Sequence, residues 1–90
     1  MKFILPKTRF VEKVSPAKQI LKVVEEAREL SDSYSRGESD ERNAEEALDV
    51  IQAGETYLRQ LEGIKGPAWL EDQFRAHIRK LTERGSYDCR

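Results

Sequence analysis

Three residue pairs punctuate this chain of 90 residues and leave room for little but helix between them: Ser15-Pro16, Ser39-Asp40 and Gly66-Pro67. A serine at the N-cap followed by proline at the first helical position is a strong helix start. Ile20, Val23, Val24, Ala27, Leu30 and Tyr34 then recur at helical spacing, and Arg36-Gly37 supplies a stop. Ser39-Asp40 opens a second helix, with Ala44, Ala47, Val50, Ile51, Gly54, Leu58 and Leu61 on its apolar face. Gly54 within that stripe predicts a close helix–helix approach. Gly63 and Gly66-Pro67 close the second helix. A third follows over 68–84, with Trp69, Leu70, Phe74, Ile78 and Leu81 in period and His77 on the same side, ending at Gly85. Residues 1–14 read as an extended arm, with Pro6 disfavouring helix at Leu5 and with Phe10, Val11 and Val14 as anchors. The expectation is all-α: an arm (1–14), a helical domain of about three helices (15–87) and a short tail (88–90).

Only 38% of the residues are hydrophobic and 37% are charged, a thin supply of core for so short a chain. A helical bundle of this kind completes its core by oligomerising, so a homodimer or homotetramer is expected. Net charge is −1, with 16 basic and 17 acidic residues, which provides no broad footprint for nucleic acid or anionic lipid. The local cluster Arg75, Arg79, Lys80 and Arg84 is the one feature in favour of nucleic acid, and no binding motif accompanies it. A single cysteine, Cys89, permits no intrachain disulfide and suits a reducing compartment. Phe3-Ile4-Leu5 is too short for a signal-peptide core, and no apolar run reaches membrane-spanning length. These features predict a cytoplasmic protein that does not enter the membrane.

The chemistry concentrates in two acidic stretches, Glu25-Glu26-Ala27-Arg28-Glu29 and Glu45-Glu46-Ala47-Leu48-Asp49. Helical residues three or four apart are surface neighbours, their Cβ atoms roughly 5–6 Å apart. A short loop makes the two helices antiparallel neighbours. Two carboxylate pairs brought together in this way make a box of oxygen ligands suited to a hard divalent cation, with positions left for water and phosphate. The plain alternative is a solvated face laced by ion pairs such as Lys22 with Glu25. Against it, both clusters lie mid-helix rather than in the first turn, where the helix dipole favours acidic residues.

Glu25-Glu26-x-x-Glu29, a loop, and Glu46-x-x-Asp49 resemble the motif of MazG-type nucleoside triphosphate pyrophosphohydrolases, a family of all-α enzymes. The run Glu45-Glu46-Ala47-Leu48-Asp49-Val50 is similar to that family's acidic-Leu-Gly-Asp-Val stretch, with Ala47-Leu48 in place of Leu-Gly. His77 through Gly85, then Tyr87, resembles its basic helix end, and the likeness spans roughly residues 16–87. The resemblance implies that Glu26, Glu29, Glu46 and Asp49 hold Mg²⁺, or Mn²⁺ in its place, and that Glu25 adds a ligand or orients the attacking water. It implies that Lys80 and Arg84 contact the phosphates of a nucleoside triphosphate, releasing pyrophosphate and a monophosphate in nucleotide-pool control or house-cleaning.

Each assignment has a plainer counterpart. Lys80 and Arg84 also suit a helix C-terminus as charges complementing its dipole. His77 on an apolar stripe is more often packed and hydrogen-bonded than metal-bound. Trp69, Phe74, Tyr34 and Tyr87 are more often packing residues than base contacts. Cys89 has no neighbouring histidine in the sequence and is not expected to be a nucleophile. The rival for the whole chain is a non-catalytic helical oligomerisation module, with apolar stripes for assembly and solvated acidic faces.

Overall fold

The computed structural model describes residues 1–87. They form a turn of helix, α1 (Phe10–Lys13), and three longer helices, α2 (Pro16–Ser35), α3 (Asp40–Lys65) and α4 (Pro67–Glu83). The fold is all-α, and no strand occurs among the described residues. Among the described residues no helix is long and apolar enough to cross a membrane. The tail 88–90, with Cys89, lies outside the described residues.

The punctuation acts locally as its chemistry requires. Ser15 Oγ accepts the Lys18 N–H at 3.2 Å, and Ser39 Oγ accepts the Arg42 N–H at 3.1 Å. Each bond satisfies one of the orphan donors of a first helical turn. Gly37 (φ 71°) lets the chain reverse after α2, with the Glu38 N–H returning to the Ser33 carbonyl at 3.1 Å. Gly66 (φ 97°) ends α3 and hands directly to Pro67, the first residue of α4.

α2 and α3 form an antiparallel pair, and their seam is polar. On α2 the buried residues are Gln19, Glu26 and Ser33, seven apart. On α3 they include Glu46, Ala53 and Gln60, also seven apart. At one end Gln19 Nε2 donates to the Ala53 carbonyl at 3.0 Å, and at the other Ser33 Oγ donates to Asn43 Oδ1 at 2.6 Å. Glu26 and Glu46 fall between these ties. The apolar stripes face elsewhere: Ile20, Leu21, Val24, Leu48 and Ile51 are all exposed. Ala53 and Leu70, 5% and 2% exposed, are the hydrophobic residues buried among those described.

Three expectations are corrected here. Gly54 makes no close approach, because a Cβ placed there meets nothing within 4 Å. The buried small residue on α3 is instead Ala53, whose carbonyl accepts from Gln19 of α2. His77 is exposed on α4 rather than packed, since α4 buries only Leu70 and touches α3 but not α2. The arm is extended only as far as α1, and this single helical turn ends at Val14, whose N–H bonds the Phe10 carbonyl at 3.1 Å.

Polar side chains hold the arm on α3 by its backbone. Glu55, buried, accepts the N–H groups of Ile4 and Leu5 at 2.7 and 2.8 Å. Arg59 donates to the Leu5 carbonyl at 2.7 Å and lies over the Phe3 ring, 4.2 Å from its centroid. Gln52 donates to the Pro6 carbonyl and Gln60 to that of Val14, at 3.1 and 2.7 Å. The terminal ammonium pairs with Glu71 on α4. One face of α3 thus grips α2 while the next grips the arm.

Candidate metal centre

Antiparallel pairing places the middle of α2 against the first half of α3, so Glu26 and Glu46 meet across the seam. Carboxylate oxygens of Glu26, Glu46 and Asp49 lie within 4.8 Å of one another. Glu26 and Glu46 are 8% and 4% exposed, whereas Asp49 is exposed. Each buried glutamate has one oxygen satisfied and one not. Glu26 Oε1 pairs with Lys22 Nζ at 3.0 Å, and Glu46 Oε1 with Arg42 Nη2 at 2.7 Å. Oε2 of each is buried without a hydrogen-bond partner. An orphaned carboxylate oxygen in a dry place is costly, and one on each of two clustered glutamates is chemistry that a cation would satisfy.

Glu29 belongs to the same cluster. The negative charge of Glu26, chiefly, holds it above the ordinary carboxylate range, with smaller repulsions from Glu46 and Glu25. Glu25 stands at the rim, exposed and paired with Lys22 at 3.5 Å. The five acidic residues singled out by sequence are therefore gathered at one place on the seam.

The expected phosphate contacts are not brought there. Lys80 and Arg84 are exposed on the far part of α4, which makes no contact with α2. Two other cations, absent from the expected set, stand beside the cluster instead. Lys22 precedes Glu26 by four residues and Arg42 precedes Glu46 by four, so each helix carries the same order of cation, buried glutamate and second carboxylate. Lys22-x-x-x-Glu26-x-x-Glu29 and Arg42-x-x-x-Glu46-x-x-Asp49 are legible as parallel patterns, and the i,i+4 spacing is the signal. Their charges respond as pairing demands: the Glu26 hydrogen bond raises the pKa of Lys22, and the Glu46 carboxylate raises that of Arg42.

All potential ligands are oxygens, with neither thiolate nor imidazole among them. Such a set suits Mg²⁺ or Mn²⁺ rather than zinc or copper. The open side at Asp49 and Glu29 leaves positions for water and for a phosphate oxygen. In comparison with known proteins, the chain matches no family model, no curated protein and no solved structure.

Proposed function

We propose that this chain is a divalent-metal-dependent nucleoside triphosphate pyrophosphohydrolase, acting in the cytoplasm for nucleotide-pool control or house-cleaning. The observation that carries the reading is the buried, unpartnered oxygen on each of Glu26 and Glu46, whose carboxylates cluster with that of Asp49 within 4.8 Å. Glu26, Glu46, Asp49 and Glu29 form the ligand set for Mg²⁺ or Mn²⁺. When bound there, the ion neutralises phosphate charge. Lys22 and Arg42 fix the orientation of the two buried glutamates and offset their charge while the site is empty.

Glu25, at the rim, orients the attacking water. The water oxygen forms a bond to the α-phosphorus, and the bond from that phosphorus to the oxygen bridging the β-phosphorus breaks. Pyrophosphate leaves with the electron pair, the monophosphate remains, and the water proton passes to a rim carboxylate. Lys80 and Arg84 can serve as phosphate contacts only for a neighbouring copy. The exposed stripe of Ile20, Val24, Leu48 and Ile51 supports such a homodimer or homotetramer. That same stripe is what favours the second reading, a non-catalytic oligomerisation module.

Incubation with each common NTP and dNTP in Mg²⁺, followed by anion-exchange separation, tests the proposal. Monophosphate and pyrophosphate, lost with EDTA and in Glu29→Gln and Asp49→Asn variants of normal helicity, are expected. Full turnover in both variants would overturn the site; no product from any nucleotide would favour the module.

A further inference from the structure

The acidic cluster has a cavity at each end, and the two differ in chemistry. Toward the arm lies a space of about 560 Å³, bounded by Phe10 and Val14 of the arm, Leu21 of α2 and Gln52 of α3, with Glu26 and Asp49 at its inner end. That volume is within the usual range for small-molecule sites. Phe10 and Leu21 are 49% and 69% exposed. They thus offer apolar surface to whatever enters. Toward the α2–α3 loop lies a polar space of about 320 Å³, lined by the carboxylates of Glu29, Asp32, Glu38 and Glu46 and by the guanidiniums of Arg36 and Arg42. Among the described residues Arg42 is paired with Glu45 and Glu46, whereas Arg36 forms no ion pair.

We infer that a nucleotide lies along the α2–α3 seam, its nucleoside in the arm-walled cavity and its terminal phosphates beside Arg36, so that the α-phosphate falls on the acidic cluster. This rests on the proposed pyrophosphohydrolase reading and adds direction and specificity to it. An aromatic face and a branched aliphatic group suit the two faces of a base, and the Gln52 amide can donate and accept at its edge. An unpaired guanidinium suits the phosphates that leave as pyrophosphate. Repulsion from Glu29, Asp32, Glu38 and Glu46 keeps the phosphates out of this space except where divalent cations lie between. The arm then acts as a specificity wall, held by Glu55 and Arg59 at a distance from the reacting phosphorus.

The test uses the full ¹⁵N-labelled chain and binding rather than turnover. Mn²⁺ alone should broaden the amide signals around Glu26, Glu46 and Asp49. With Mg²⁺, α,β-methylene triphosphates of the four common bases should shift the amides of Phe10, Leu21 and Gln52 and those near Arg36. The matching monophosphates should shift only the first group. By calorimetry, Phe10→Ala should weaken the best triphosphate analogue and its monophosphate alike, by about tenfold, and Phe10→Tyr should restore both. Arg36→Ala should weaken only the triphosphate, also by about tenfold. No Mn²⁺ broadening at the cluster would remove the pyrophosphohydrolase reading and this inference with it. Broadening with no nucleotide bound, or with shifts that bypass Phe10 and Leu21, would overturn the inference alone. So would a Phe10→Ala variant whose oligomeric mass changes while its nucleotide affinity does not, since the cavity would then be an interface between copies.

Discussion

Replacing Glu46 with glutamine should make the metal-free protein more stable while abolishing its response to Mg²⁺. The side chain keeps its shape, and its carbonyl oxygen can still accept from Arg42, now 2.7 Å from Glu46 Oε1. What disappears is the repulsion between a buried carboxylate and its neighbours, whose oxygens lie within 4.8 Å. At an effective dielectric constant of about 20, two charges at that separation repel by about 3.5 kcal/mol, and in bulk water by about 0.9. Glu26 is buried and belongs near the first figure; Asp49 is exposed and belongs near the second. Against this relief stands the loss of the charged pair with Arg42, a smaller effect because that side chain is 53% exposed and its charge is screened by solvent. The new amide can also donate to the orphaned Glu26 oxygen. The net gain is about 3 kcal/mol, which in a domain of this size raises the melting temperature by about 15 °C. In Mg²⁺ the order should reverse. Wild type gains about 4.1 kcal/mol at a metal concentration about a thousand times its Kd, and the variant gains nothing. Circular dichroism melts in EDTA and in saturating Mg²⁺ measure both effects. A variant that melts below wild type in EDTA and still responds to Mg²⁺ would refute the repulsive-cluster reasoning.

Glu55→Gln should release the arm: one of the two N–H groups at Ile4 and Leu5 then faces an amide NH₂, costing about 2 kcal/mol. Faster hydrogen exchange at those two amides should accompany the lower melting temperature, and unchanged protection would count against the clamp. Because Glu29 titrates above its unfolded value, its ionised form costs stability near neutral pH. That cost is relieved as pH falls through the raised pKa, so metal-free wild type should show a rise in melting temperature there that Glu29→Gln lacks. Over the same descent the Mg²⁺ increment should shrink as protons compete with the metal at Glu29. Val24→Lys, on the exposed stripe, should reduce the assembly to a 10.4 kDa monomer by sedimentation equilibrium, and an unchanged mass would place the interface elsewhere.

The helices and the acidic cluster were legible because both depend on local spacing. Ser15, Ser39 and Gly66-Pro67 act within one turn, and Glu26, Glu29, Glu46 and Asp49 need only helical period and an antiparallel partner to meet. Which face would form the seam was not legible. Gln19, Glu26 and Ser33 are residue types that read as solvent-facing, yet they line the α2–α3 contact. The apolar stripe around Ile20 and Val24 marks a surface that seeks cover without saying what covers it. That the arm would lie on another surface was legible from Phe10, Val11 and Val14; where it docks was not, because Glu55, Arg59 and Gln60 grip backbone groups that any extended segment carries. Lys80 and Arg84 drew notice by their place in a basic helix end. The direction of α4, which leaves them apart from α2, depends on the angle at Gly66, which spacing does not encode.

Hydrolysis of an accepted nucleoside triphosphate in ¹⁸O-water tests the central claim most directly. Water attack at the α-phosphorus, beside Glu26, Glu46 and Asp49, places the label in the monophosphate and leaves the pyrophosphate unlabelled. Label in the pyrophosphate would mean attack at the β-phosphorus, and orthophosphate with diphosphate would mean attack at the γ-phosphorus; either contradicts the account.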